Sequence, residues 1–156
     1  MSLFRRDINP LKSNSFFIFG ARGTGKSTFL KGFFEKEKTL WIDLLNSELE
    51  DSYATNPNRL LEQLSQKESY DWVVIDEIQK VPKLLNLVHK AIEEKKQLFA
   101  LTGSSARKLK RGSANLLAGR AFINNLHPLT HLETEEAFDI DEALNWGTLP
   151  RIYSLD

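Results

Sequence analysis

A lysine and a serine behind closely spaced glycines, two adjacent carboxylates and a run of hydroxyls are the groups on which a reaction can be built in this chain. The stretch Gly20-Ala21-Arg22-Gly23-Thr24-Gly25-Lys26-Ser27 fits the pattern G-x-x-x-x-G-K-[ST]. Glycines let such a turn curl until successive N–H groups face inward, and a concave row of amide dipoles then cradles phosphate groups. At Gly25 glycine alone takes the backbone angles required at no steric cost. Lys26 brings a charge for the β- and γ-phosphates of a nucleotide, and Ser27 a hydroxyl for a magnesium ion. The candidate nucleotide-binding residues are therefore Gly20, Ala21, Arg22, Gly23, Thr24, Gly25, Lys26, Ser27 and Thr28.

The second group is Asp76-Glu77, at the end of the apolar run Trp72-Val73-Val74-Ile75. An aspartate in that position is the expected magnesium partner of Ser27. Magnesium keeps most of its waters, so Asp76 is expected to hold the ion through one of them. Glu77, one residue on, is the candidate general base, taking a proton from a water beside the γ-phosphate. An acid pair alone reads better as a helix start or a loop feature. The apolar strand before it and the glycine-rich turn upstream favour the site.

The third group is Thr102, Ser104 and Ser105. One of these hydroxyls is expected to meet the γ-phosphate or the attacking water. Ser104 is the first choice and Thr102 the second, while Ser105 suits the cap of a following helix. Arg107, Lys108, Lys110 and Arg111 form a basic cluster, and Arg120 follows. Phosphoryl transfer gains when an arginine, from the same or a neighbouring subunit, reaches the developing charge. Arg120 is the candidate, and the version across subunits requires self-association. A solvated helix face is the plainer reading of the cluster. Nucleic acid is a third reading, unsupported by a chain that balances 21 Lys+Arg against 21 Asp+Glu.

These groups need elements to hold them. Phe16–Phe19 reads as a strand feeding the glycine turn, and a helix runs from about Lys26 to Lys36. Thr39–Leu44, Asp71–Glu77, Gln97–Thr102 and Ala121–Leu126 read as further strands. Asn46–Asn58 is polar, carries Pro57 and reads mostly as loop. Leu60, Leu61 and Leu64 mark a helix ending near Lys67. Pro82 opens another, with Leu84, Leu85, Leu87, Val88, Ala91 and Ile92 on its apolar face. Ala106–Gly119 is helix-prone with a break at Gly112, and Glu133–Phe138 and Ile140–Trp146 read as short helices. Strands alternating with helices argue for an α/β fold, a parallel sheet flanked by helices. Functional groups then gather at the carboxyl ends of the strands, where Gly20, Asp76 and Thr102 lie.

A chain of 156 residues suffices for one domain with a sizeable core. It has no cysteine, which excludes disulfides and thiolate metal sites. Pro128 between His127 and His131 argues against a shared helix face for a metal. The apolar runs are far too short for a spanning helix, and no apolar core follows the basic start at Arg5-Arg6. The expectation is a cytoplasmic protein without membrane contact.

On these residues the chain resembles the AAA-type ATPases, P-loop proteins. Within them it is similar to the N-terminal ATP-binding domain of a large prokaryotic group with a C-terminal domain of unknown function. The matching stretches are Gly20–Ser27, Ile75-Asp76-Glu77-Ile78-Gln79-Lys80-Val81-Pro82, Leu101–Arg107, Leu116–Arg120 and Leu126–Leu129. Ala21 stands where the family usually has proline. The resemblance implies a five-stranded sheet in the order 5-1-4-3-2, with ATP and Mg2+ as ligands. The small helical lid of such proteins would begin near Gly147. The expected division is thus residues 1–14 as a lead-in, 15–146 as the ATP-binding domain and 147–156 as the start of a truncated or absent lid. The C-terminal domain is expected to lie outside this chain.

Two functions compete. The first is an ATPase core, in which Glu77 assists hydrolysis of Mg-ATP. The second is a nucleotide-gated module that binds protein or DNA with negligible turnover. A small-molecule kinase would need an acceptor pocket and an arginine-bearing lid, and a GTPase an Asn-Lys-x-Asp motif; neither is visible.

Overall fold

The computed structural model describes residues 4–66, 69–110 and 117–154. Five strands, β1 (Ser15–Phe19), β2 (Thr39–Asp43), β3 (Trp72–Asp76), β4 (Leu98–Gly103) and β5 (Ala121–Asn125), form one sheet in the order β2-β3-β4-β1-β5. Every pairing is parallel. This is the implied order 5-1-4-3-2 read from the other edge. The helices are α1 (Lys26–Phe33), α2 (Ser47–Thr55), α3 (Arg59–Leu64), α4 (Leu84–Lys95), α5 (Ala106–Lys110), α6 (His131–Thr134) and α7 (Ile140–Trp146).

Strands covered on both faces must be apolar at every position, and β1 and β3 are buried throughout. Their side chains alternate between two cores. Phe17, Phe19, Val73, Ile75, Phe99 and Leu101 face one core with α4 residues Leu84, Leu85, Val88 and Ala91. Phe16, Ile18, Trp72, Val74 and Ala100 face the other, against Leu30 of α1 and Phe34. The same alternation sends Asp76 and Thr102 to the face that α1 covers. An aromatic cluster closes that core at the far end, with Phe34 4.7 Å and Phe16 5.4 Å from Trp72 between ring centroids.

The segment expected to be mostly loop, Asn46–Asn58, is instead largely helix. The Asn46 side chain accepts from the N–H groups of Glu48 and Leu49, which caps α2, and Glu48 and Glu50 suit the positive end of the helix dipole. Leu49 and Tyr53, one turn apart, supply the apolar side of α2. Pro57 ends this helix rather than preventing it. The first helix is shorter than expected, ending at Phe33, and the break at Gly112 lies outside the described residues. Among the described residues no helix is long and apolar enough to cross a membrane.

Candidate functional site

The parallel sheet brings β1, β3 and β4 to a common edge. Gly20 follows β1 directly and donates its N–H to the Gly103 carbonyl at 3.2 Å. A Cβ on Gly20 would meet the Leu126 carbonyl oxygen at 2.2 Å, so close backbone approach demands glycine there. At Gly25 the reason differs, since its φ of 89° is left-handed and few side chains tolerate it. Between them the turn is held from within, Thr24 being fully buried with its hydroxyl donating to the Ala21 carbonyl at 2.9 Å. Ala21, Arg22, Gly23 and Thr28 are exposed.

Lys26 is the first residue of α1, yet only 5 % of it is exposed. Its ammonium donates to the carbonyls of Gly20 at 2.9 Å and Ala21 at 3.2 Å and stands 3.6 Å from Glu77 Oε1. Buried charge is tolerated only when paired and hydrogen-bonded, and here it is both. The Ser27 hydroxyl donates to Asp76 Oδ2 across 49 residues of sequence. The other carboxylate oxygen, Asp76 Oδ1, accepts from the Thr102 hydroxyl. Thr102 in turn accepts from the Glu77 N–H at 2.9 Å. One buried hydroxyl thus ties the end of β4 to both acids at the end of β3.

Glu77 sits at φ 59°, ψ 49°, a left-handed conformation rare for a residue with a side chain. Such angles cost on the order of 1–3 kcal/mol and persist where neighbours over-determine them. Its carboxylate accepts from Gln79 Nε2 as well as facing Lys26. Gln79 is a residue the sequence reading did not single out, although it stands within the Ile75–Pro82 stretch that helps carry the family resemblance. Its Oε1 is buried with no hydrogen-bond partner among the described residues and lies where a side chain on Gly103 would point. A methyl group on Gly103 would lie 2.9 Å from that oxygen and 3.2 Å from Phe19 Cε1. We expect Gly103→Ala to lower stability by about 1–3 kcal/mol, as overpacking does, read as a reduced urea midpoint. An unchanged midpoint would mean that Gln79 is free to move.

Ser104 lies just beyond β4, half-exposed, in a cleft of ≈ 410 Å³ lined also by Gly20, Ala21, Arg107, Asn125 and His127. It therefore adjoins the glycine turn, whereas Thr102 adjoins the acids. Arg120 is placed elsewhere. It precedes β5, whose Ala121 is in register with Ser15 at the start of β1, and it pairs with Glu93 of α4. A five-residue strand separates it from the glycine turn, about 16 Å at the usual rise. Arg120 does not reach the turn of its own chain. Arg111 lies outside the described residues.

The lead-in carries a second residue missed at the sequence level. Arg6 donates through Nη1 to the Thr24 carbonyl and through Nη2 to the His127 carbonyl, both at 2.6 Å. Its Nε pairs with Glu133 Oε1 at 3.0 Å, the two side chains being 7 % and 5 % exposed. Glu133 also accepts from the N–H groups of Asp7 at 2.7 Å and Thr130 at 2.9 Å. Half of this was readable, because Thr130-His131-Leu132-Glu133 has the spacing of a capping box, and the box forms. Burial works to raise the Glu133 carboxyl, but the two N–H groups and Arg6 outweigh it and hold the carboxyl below its ordinary value. A depressed value means stability that is present above the unfolded pKa, about 4.3, and lost as pH falls through the folded one. In Glu133→Gln the urea midpoint should consequently fall less between pH 6 and pH 3 than in the natural protein. Parallel curves would exclude this carboxylate as an acid-sensitive contact.

A family model described as AAA domain matches residues 12–135. The chain belongs to the AAA domain family. AAA domains bind nucleotide, and the glycine turn, Lys26 and the acid pair lie within the matched residues. Similar solved structures include the Walker-type ATPase PABY2304 of Pyrococcus abyssi, 18% identical with a TM-score of 0.50, over 83% of this chain and 51% of that one. The ORC1 protein of Aeropyrum pernix in complex with DNA is 15% identical with a TM-score of 0.56, over 80% and 42%. AMPPCP-bound DnaA from Aquifex aeolicus is 15% identical with a TM-score of 0.50, over 92% and 55%. At such identities the likeness is one of fold, and this AAA domain spans about half the length of the structures it matches. No protein of curated function matches the sequence significantly.

Proposed function

We propose that this AAA domain binds Mg-ATP at the Gly20–Thr28 turn and hydrolyses it. The observation that carries the reading is the contact between Ser27 and Asp76, which joins the glycine turn to the acid pair. The donor set fits a small divalent cation, because hydroxyl and carboxylate oxygens are what magnesium takes. Ser27, and Asp76 through a water, are the groups that would hold it. Bound there, it would neutralise negative charge developing on the phosphate groups. Lys26 stands at the mouth of the turn with carbonyl partners that are weaker acceptors than a phosphate. On this reading it exchanges them for the β- and γ-oxygens when ATP enters.

Glu77 is the base of this proposal. It accepts a proton from water as the water oxygen bonds to the γ-phosphorus. The bond from that phosphorus to the β–γ bridging oxygen breaks, and ADP leaves with the electron pair. Thr102 holds the Glu77 backbone through its N–H, and Ser104 is left to contact the γ-phosphate from the cleft side. On this reading Arg120 serves the site of a second copy. Titration calorimetry with Mg-ATP and phosphate release, measured on the same sample, test the two halves. Binding without release supports the second reading, a nucleotide-gated module for a protein or DNA partner. One feature favours that reading, since Glu77 already accepts from Gln79 and faces Lys26, leaving its carboxylate engaged. No heat on mixing would sink both.

A further inference from the structure

The Thr24–Gly25 peptide lies in the glycine turn immediately before Lys26. Its carbonyl accepts from Arg6 Nη1 at 2.6 Å. The described peptide bonds are all trans, so the Gly25 N–H points the opposite way from that carbonyl, away from Arg6. The next carbonyl, that of Gly25, is taken into α1 by the Phe29 N–H at 2.8 Å. Glycine accepts positive and negative φ almost equally, so residue 25 by itself does little to stop the peptide between Thr24 and Gly25 from flipping. A flip would aim a carbonyl where the N–H now points, and an oxygen repels phosphate where an amide attracts it.

We propose that Arg6 is a positioning residue of the phosphate turn, which holds the Gly25 N–H in its anion-accepting direction. The inference rests on the reading of the turn as a phosphate site. Arg6 suits the task because its fork is anchored on two other sides, at the His127 carbonyl and at Glu133. Glu133 is fixed in turn by the N–H groups of Asp7 and Thr130, so the lead-in, the turn and the start of α6 share one buried ion pair. Glu133 also offsets the guanidinium charge. Arg6 therefore acts on the turn through geometry, and a lysine, with the same charge but no fork, replaces it only in part.

The test uses the full chain. Mg-ATP and ADP are titrated against the natural protein, Arg6→Ala, Arg6→Lys and Glu133→Gln, at a temperature where each is folded by circular dichroism. The Gly25 and Thr24 amide resonances are followed by NMR without ligand and with inorganic pyrophosphate. We expect Arg6→Ala to bind both nucleotides about tenfold or more weakly, the share of one hydrogen bond from a charged donor. Arg6→Lys should fall between, with the Gly25 resonance shifted in both variants. A folded Arg6→Ala that binds within about twofold of the natural protein, with Gly25 unmoved, would overturn the proposal and leave Arg6 a staple of the fold. If Arg6→Ala does not fold, Arg6→Lys and Glu133→Gln decide by the same readouts. If the natural protein binds no nucleotide, the proposed function falls. The Gly25 resonance then decides alone, a shift on losing the Arg6 fork supporting its hold on the peptide and no shift refuting it.

Discussion

Lys26→Ala binds Mg-ATP on the order of a hundredfold to a thousandfold more weakly than the natural protein, with the sheet intact. The size follows from what the ammonium does in each state. In the free protein it is held by two neutral carbonyls and faces Glu77 at 3.6 Å. In the proposed complex it would meet phosphate oxygens, ionised acceptors that hold an ammonium more strongly than neutral carbonyls do. Truncation forfeits that difference and also leaves Glu77 without its compensating cation, which repels the incoming phosphates. The fold has less at stake, because Lys26 sits at the start of α1, while the apolar anchor of that helix is Leu30. Titration calorimetry reads the affinity, and the urea midpoint reads the fold. Affinity within about threefold of the natural protein would remove Lys26 from its role.

Glu77→Gln separates chemistry from binding. The amide keeps the size of the carboxylate and can still accept from Gln79, but it cannot take a proton from water. A positioned general base is worth about a hundredfold to ten-thousandfold in rate, so phosphate release should fall by that factor while ATP affinity holds or rises. Affinity gains if anything, because a negative charge 3.6 Å from Lys26 no longer competes with the phosphates. The left-handed backbone at residue 77 makes the test sharper. A residue strained to φ 59° is kept there by Thr102 and Gln79, whose contacts glutamine preserves, so a loss of rate is not a loss of structure. Release at an unchanged rate would assign the proton to another group, and release by neither protein would leave the gated module as the surviving reading.

How far these residues could be read in advance depends on the range of the force involved. The glycine turn was legible because its requirement is local, with Gly23 and Gly25 both at positive φ. The inner strands β1, β3 and β4 were legible because burial on both faces demands unbroken apolar runs. The loop assigned to Asn46–Asn58 went wrong by weighing polarity and Pro57 above the Asn46 cap, itself a local signal. The order of the sheet came from resemblance, since parallel strands joined by helices satisfy the same pattern in several orders.

Chain order alone was enough to set the strands, the turn and the acids at their ends, because backbone angles and side-chain alternation act within a few residues. Alternation even held an unused clue: Thr102 shares its face with Ala100, as Asp76 does with Trp72 and Val74, and that is the face α1 covers. Which hydroxyl met the acids was settled only in three dimensions, where strand ends side by side left Thr102 within reach of Asp76 and put Ser104 in the cleft. The same holds for Arg120, carried to the far end of β5, and for Arg6, joined to a glutamate 127 residues away. No rule of spacing reaches that far. A buried guanidinium takes whichever carboxylate and carbonyls the folded chain delivers to it, because leaving it unpaired out of water costs more than any local preference.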